Sequence, residues 1–149
     1  MTLETKKSVF VELGKFLSQF SEEQSVQKSD VLYNDIFFED FKKLIHLSQS
    51  HNGWYTPEQV YFALQSWAAA LTEENLDKWL SQYEADFAQN DSKEKTVALI
   101  LAGNIPLVGF HDFLSVLITG NKALIKTSSN DQHLLPFLAK YLIAVDESL

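Results

Sequence analysis

Two rhythms of apolar and polar positions divide the chain. Over the first ninety residues the apolar positions recur every three or four residues, the period of an amphipathic helix. Val9, Phe10, Leu13, Phe16, Leu17 and Phe20 form one such stripe, and Phe37, Phe38, Phe41, Leu44 and Ile45 form a second. A third helix is marked at its start. Thr56 suits the N-cap, Pro57 the first helical position and Gln59 the return arm of a capping box. Tyr55 and Val60 flank that cap as a hydrophobic staple. A fourth helix follows Thr72 and carries Leu76, Trp79, Leu80 and Tyr83 on one face. These aromatic stripes read as core.

Gln89 to Lys95 contains no apolar residue, and beyond it the rhythm changes. Residues 96–102, TVALILA, are continuously apolar, as in a strand buried on both faces. Residues 107–118 predict a short helix, 122–126 a second strand and 131–145 a second helix. Strand, helix, strand, helix predicts a parallel pair joined by a right-handed crossover. The expected fold class is α/β, with a helical region over residues 1–90 and the start of a parallel-sheet domain over 96–149.

In an open α/β sheet, ligands bind beyond the carboxyl ends of the strands. Asn104 lies just past the end of the first predicted strand and Lys126 ends the second, so parallel neighbours bring both to one crevice. A purely structural account of the same residues stays open here. Asn104 also suits a cap for the next helix with Pro106 in its first turn, and Gly120-Asn121 a left-handed helix terminus. Lys126 also reads as a solvated strand end, and Ser128, Ser129 and Asn130 as caps of the last helix.

Composition narrows the function. The 149 residues carry a formal charge of −8 and no arginine, which argues against a nucleic-acid partner. No apolar run approaches the roughly 18 to 20 residues that span a bilayer, and the opening residues lack a leader's apolar core. A soluble cytoplasmic protein is expected. No cysteine is present, so disulfides, thiolate metal sites and thiol nucleophiles are excluded within these residues. His46, His51, His111 and His133 show no metal-binding spacing. His111-Asp112 reads as a helix-surface or helix–helix polar contact rather than an acid–base pair, since adjacent helical residues diverge. Glu39-Asp40 and Glu73-Glu74 read as solvated. There is no G-x-G-x-x-G fingerprint, P-loop or nucleophile elbow.

From Thr96 to Val145 the chain resembles the opening of the cofactor-binding domain of the aldehyde dehydrogenase superfamily. The matching residues are Asn104-Ile105-Pro106, Gly120-Asn121 and Lys126-Thr127-Ser128-Ser129, in order and at matching spacing. Within that superfamily, GNIPLVGFHDFLSVLITGN, NGWYTPEQV and DKWLSQY look most like the long-chain acyl-CoA reductases, the fatty-acid reductases of bacterial bioluminescence and their relatives. The resemblance implies reduction of a fatty acyl thioester, from acyl-CoA or another acyl donor, to an aldehyde. It implies that Asn104 donates to the oxyanion, that Leu101, Ala102 and Gly103 run along the cofactor, and that Lys126, Ser128 and Ser129 hold the nucleotide. Ser129 stands where many NAD-using members carry a glutamate, so NADPH is expected ahead of NADH. The family's nucleophile is a cysteine, which this chain lacks. These residues are therefore expected to be the N-terminal part of a reductase, inactive alone and prone to self-association through open strand edges. The competing readings are a non-catalytic helical interaction module, or part of an ordinary aldehyde dehydrogenase that oxidises a free aldehyde.

Overall fold

The computed structural model describes residues 1–88 and 93–149. Four helices form first: α1 (Leu3–Leu17), α2 (Asn34–His51), α3 (Pro57–Ala70) and α4 (Glu73–Leu80). Local signals set several of their ends. The Thr2 hydroxyl accepts from the Thr5 amide, and Thr72 does the same for Asn75. At α3 both arms of the expected capping box are present, with Thr56 accepting from the Gln59 amide and Gln59 from the Thr56 amide. Both staple residues, Tyr55 and Val60, are buried.

A 3₁₀ turn (Ser81–Tyr83) and the short helix α5 (Glu84–Ala88) follow α4. This break corrects one expectation. Tyr83 lies in the turn, exposed rather than aligned with buried Leu76 and Leu80, although its ring stays near that of Trp79. The first four residues of the expected polar break, 89–92, lie outside the described residues, while Lys93, Glu94 and Lys95 are exposed.

The second half runs β1 (Thr96–Ile100), α6 (Phe110–Ile118), β2 (Lys122–Lys126), α7 (Leu134–Val145). The strands pair in parallel, Thr96 beside Lys122 and Ile100 beside Lys126, making a mixed α/β molecule with a two-stranded parallel sheet. The expectation that the first strand is buried on both faces is overturned. Thr96, Ala98 and Ile100 are exposed while Val97 and Leu99 are half-buried, and β2 alternates likewise. The helices cover one face of the pair. The other face carries Ile100, 81% exposed, and Leu124, 63% exposed.

Helix α6 also begins later than its apolar run. Leu107 has φ +58°, a left-handed conformation that interrupts helical continuation, so 105–108 forms a turn and the N-cap falls on Gly109 without a side-chain bond. Asn104 therefore does not cap this helix. At its other end α6 closes as the Gly-Asn signal predicts. Gly120, at φ +84°, donates to the Leu117 carbonyl and Asn121 to that of Val116, the paired bonds of a Schellman terminus. The Asn121 side chain then accepts from the Lys95 amide, tying the entry of β1 to that of β2.

One core unites both halves. Phe16 stacks on Tyr141 and Phe41 on Phe137, while the Trp67 ring meets Phe110 edge-on. Burial of each such side chain contributes roughly 1.5–3 kcal/mol. Between α1 and α2 the chain is latched by a buried amide pair. Gln19 and Asn34 exchange hydrogen bonds and also hold the backbone of Lys28. Buried Glu12 accepts from the Leu32 amide and pairs with Lys15.

Candidate functional site

The carboxyl ends of β1 and β2 bring two loops together. After Ile100, the Leu101 amide still donates to the Lys126 carbonyl, which keeps the strands in step for one more residue. The first loop then carries Ala102, Gly103 and Asn104 away, with Ala102 and Asn104 exposed. The second carries Thr127, Ser128 and Ser129 from Lys126, and both Lys126 and Ser129 are exposed. The loops touch at Gly103. A β-carbon there would lie 2.6 Å from the Ser128 hydroxyl oxygen, so only glycine lets the loops approach this closely. Ser128 shapes its own turn by accepting from the Asn130 amide, while its carbonyl accepts from Asp131. The expected capping of the last helix by Ser128, Ser129 and Asn130 does not occur. Its N-cap is His133, without a side-chain bond, because the Ser128 turn ends before the helix begins.

Both loops are held from below by the segment between α2 and α3. The Asn52 side chain donates to the Gly103 carbonyl at 2.7 Å, and its oxygen accepts from the Trp54 amide. The Tyr55 hydroxyl donates to Asp131 at 2.7 Å and lies 3.2 Å from the Ile105 carbonyl. Asn52 and Tyr55 are 4% and 2% exposed. Burial, reinforced by the Asp131 carboxylate, pushes the Tyr55 hydroxyl above the usual tyrosine range and keeps it a donor. The rings of His51 and His133 lie tilted against each other, centroids 4.1 Å apart, at the same end.

A separate cleft lies elsewhere among the described residues. A volume of about 530 Å³ opens beside β2, between Phe113 and Leu117 of α6 and Leu142 and Ile143 of α7, with Lys6 and Lys122 at its lining. None of Asn104, Lys126, Ser128 or Ser129 borders it. His111 and Asp112 sit on the surface of α6, 3.8 Å apart and mostly exposed, as expected of a surface contact. Among the described residues no cluster of histidine and carboxylate groups has the arrangement of a metal site. No described helix is long and apolar enough to cross a membrane.

A family model described as acyl-CoA reductase (LuxC) matches residues 35–149. The chain belongs to that family. Within the LuxC match lie both strand-end loops and the Asn52–Tyr55 segment, whereas α1 precedes it. The long-chain acyl-protein thioester reductase of Photorhabdus laumondii is 41% identical over 71 residues, which are 48% of this chain and 14% of that protein. Long-chain acyl-protein thioester reductase 2 of Photobacterium leiognathi is 39% identical over 71 residues, again 48% and 14%. The corresponding protein of Aliivibrio fischeri is 39% identical over 69 residues, 46% and 13%. The aligned stretch thus spans about one seventh of these curated LuxC relatives. No solved structure matches the chain.

In this LuxC-family chain, the sequence singles out the residues of the two loops but misses those beneath them. Asn52 signals only a turn with Gly53, and Tyr55 only a staple. Their partners at Gly103, Ile105 and Asp131 lie 50 residues or more away.

Proposed function

We propose that the two loops belong to the nucleotide and acyl-thioester site of a fatty acyl reductase that includes this chain and uses NADPH. The observation that carries this reading is the meeting of the Asn104 loop with the Lys126–Ser129 segment, through Gly103 and Ser128, at the carboxyl end of a parallel pair. The aldehyde dehydrogenase-like course of the sheet belongs to the same proposal.

The residues present fit a phosphorylated dinucleotide. Lys126 is exposed, with no carboxylate within salt-bridge distance among the described residues, and the Asp131 carboxylate further along the same loop accepts from Tyr55. Ser129 adds a hydroxyl without negative charge, which suits a 2′-phosphate beside Lys126. Lys126, Ser128 and Ser129 would hold the nucleotide, with the backbone of Leu101, Ala102 and Gly103 alongside. The bound cofactor supplies hydride. Asn104 directs its side-chain amide at the oxygen that gains charge when an acyl thioester is attacked, and one such donor is typically worth about 10² to 10³ in rate. In this reading a cysteine elsewhere in the protein displaces the donor thiol and carries the acyl group. Reduction of that thioester then releases aldehyde and regenerates the thiol. This chain supplies no such cysteine and is expected not to turn over alone.

The test uses the complete natural gene product with a long-chain acyl thioester and either nucleotide. Ser129→Glu is expected to move preference toward NADH by about tenfold or more, through repulsion of the 2′-phosphate. Asn104→Ala is expected to lower turnover by about 10² or more. Unchanged nucleotide preference in the first variant removes the assignment of Ser129, and unchanged turnover in the second removes that of Asn104.

A further inference from the structure

We propose that Asn52 and Tyr55 are positioning residues for Asn104, acting as a two-point clamp that sets where its amide stands. The inference rests on the reductase reading for its catalytic meaning, but the clamp itself is a matter of geometry.

Asn104 has no regular structure to hold it. It follows β1, precedes the left-handed Leu107 turn and is exposed. What fixes it is a carbonyl on each side, one in the peptide that precedes it and one in the Ile105–Pro106 peptide a residue beyond. The carbonyl before it, that of Gly103, receives the Asn52 amide, and the carbonyl after it, that of Ile105, lies against the Tyr55 hydroxyl. These two side chains come from one four-residue stretch, and both are almost wholly buried. The stretch is itself rigid. The Asn52 amide N–H closes α2 on the Ser48 carbonyl, the Asn52 side chain receives the Trp54 amide, and Tyr55 abuts the capping box of α3.

Asn52 also has its orientation fixed by chemistry. Its oxygen faces an N–H and its nitrogen faces a carbonyl, so the reversed amide would oppose like groups at both ends. Tyr55 reaches the second loop as well, through Asp131. One buried stretch therefore sets the height of both strand-end loops. A donor aimed at a developing oxyanion must stand within a few tenths of an ångström of its productive place, and buried partners behind it usually supply that accuracy.

The experiment pairs Asn52→Asp and Tyr55→Phe, which keep side-chain shape and remove one donor each. Hydrogen exchange on this chain reads the clamp directly. The expected result is at least tenfold faster exchange at the Val108 and Asp131 amides, with exchange in α1 unchanged. Turnover of the complete gene product reads its purpose. Each variant is expected to lower kcat by about tenfold and to leave the nucleotide KM within twofold. Combined with Asn104→Ala, neither is expected to slow the enzyme further, because a clamp without its amide has nothing left to aim.

Unchanged exchange near Asn104 in both variants overturns the clamp, and so does a kcat loss that multiplies with that of Asn104→Ala. If Asn104→Ala alone keeps full turnover, the oxyanion reading falls and takes the catalytic meaning of the clamp with it. The exchange data then show separately whether the loops are held.

Discussion

Tyr55 and Tyr141 hold their hydroxyl protons above the pH at which a free tyrosine, near 10.0, releases them, because burial disfavours phenolate at both sites. Lys7 is raised from 10.5 for another reason, its 2.7 Å contacts with Asp77 and Glu4. In all three the folded state binds its proton more tightly than the unfolded chain does. Their stabilisation is complete below about pH 10 and is lost as pH climbs through the folded-state values. Lys6, lowered by desolvation, works in the opposite sense. The expected outcome is a urea midpoint that falls on titration above about pH 10, with a shallower fall in the Tyr55→Phe, Tyr141→Phe double variant. At this scale the sequence identifies residues with a local signature, such as Thr56 and Gly120, whose bonds the structure shows. Asn52 and Tyr55 escape notice because their decisive bonds join segments 50 or more residues apart, and such pairing leaves no periodic trace.

Among the elements, helices with caps were the most legible, since a cap is written within four residues of its own chain. The start of α6 was not. A left-handed leucine inside an apolar run has no propensity signal. The burial of β1 is not legible for a different reason: how many faces a strand hides depends on what packs above it, which composition does not specify. Both outer edges of the parallel pair are unpaired among the described residues, and Ile100 and Leu124 stand diagonally, two positions apart in register, on the open face. Exposed edges of this kind template further pairing. Light scattering of this chain is expected to show concentration-dependent association, and a strictly monomeric species at high concentration would contradict it.

For the molecule as a whole, the division at the polar break separates sequence rhythms but not packing. Phe16, Phe41 and Trp67 take stacking or edge contacts from Tyr141, Phe137 and Phe110, and the Tyr141 hydroxyl donates across to the Leu32 carbonyl. A fragment ending at residue 90 is therefore expected to melt without a cooperative transition, measured by circular dichroism, while the 149-residue chain melts as one unit. The clamp at Asn52 adds a chemical consequence to this cooperativity. Asparagine followed by glycine ages in loose chains, as the glycine nitrogen attacks the side-chain carbonyl and ammonia leaves. Here the Asn52 side chain is tied at both ends and buried, so that attack waits for unfolding. Each loss of the amide turns Asn52 toward the aspartate that opposes the Gly103 carbonyl. Peptide mass spectrometry of stored protein should find position 52 preserved in native buffer and converted in urea, making this one side chain a clock of time spent unfolded.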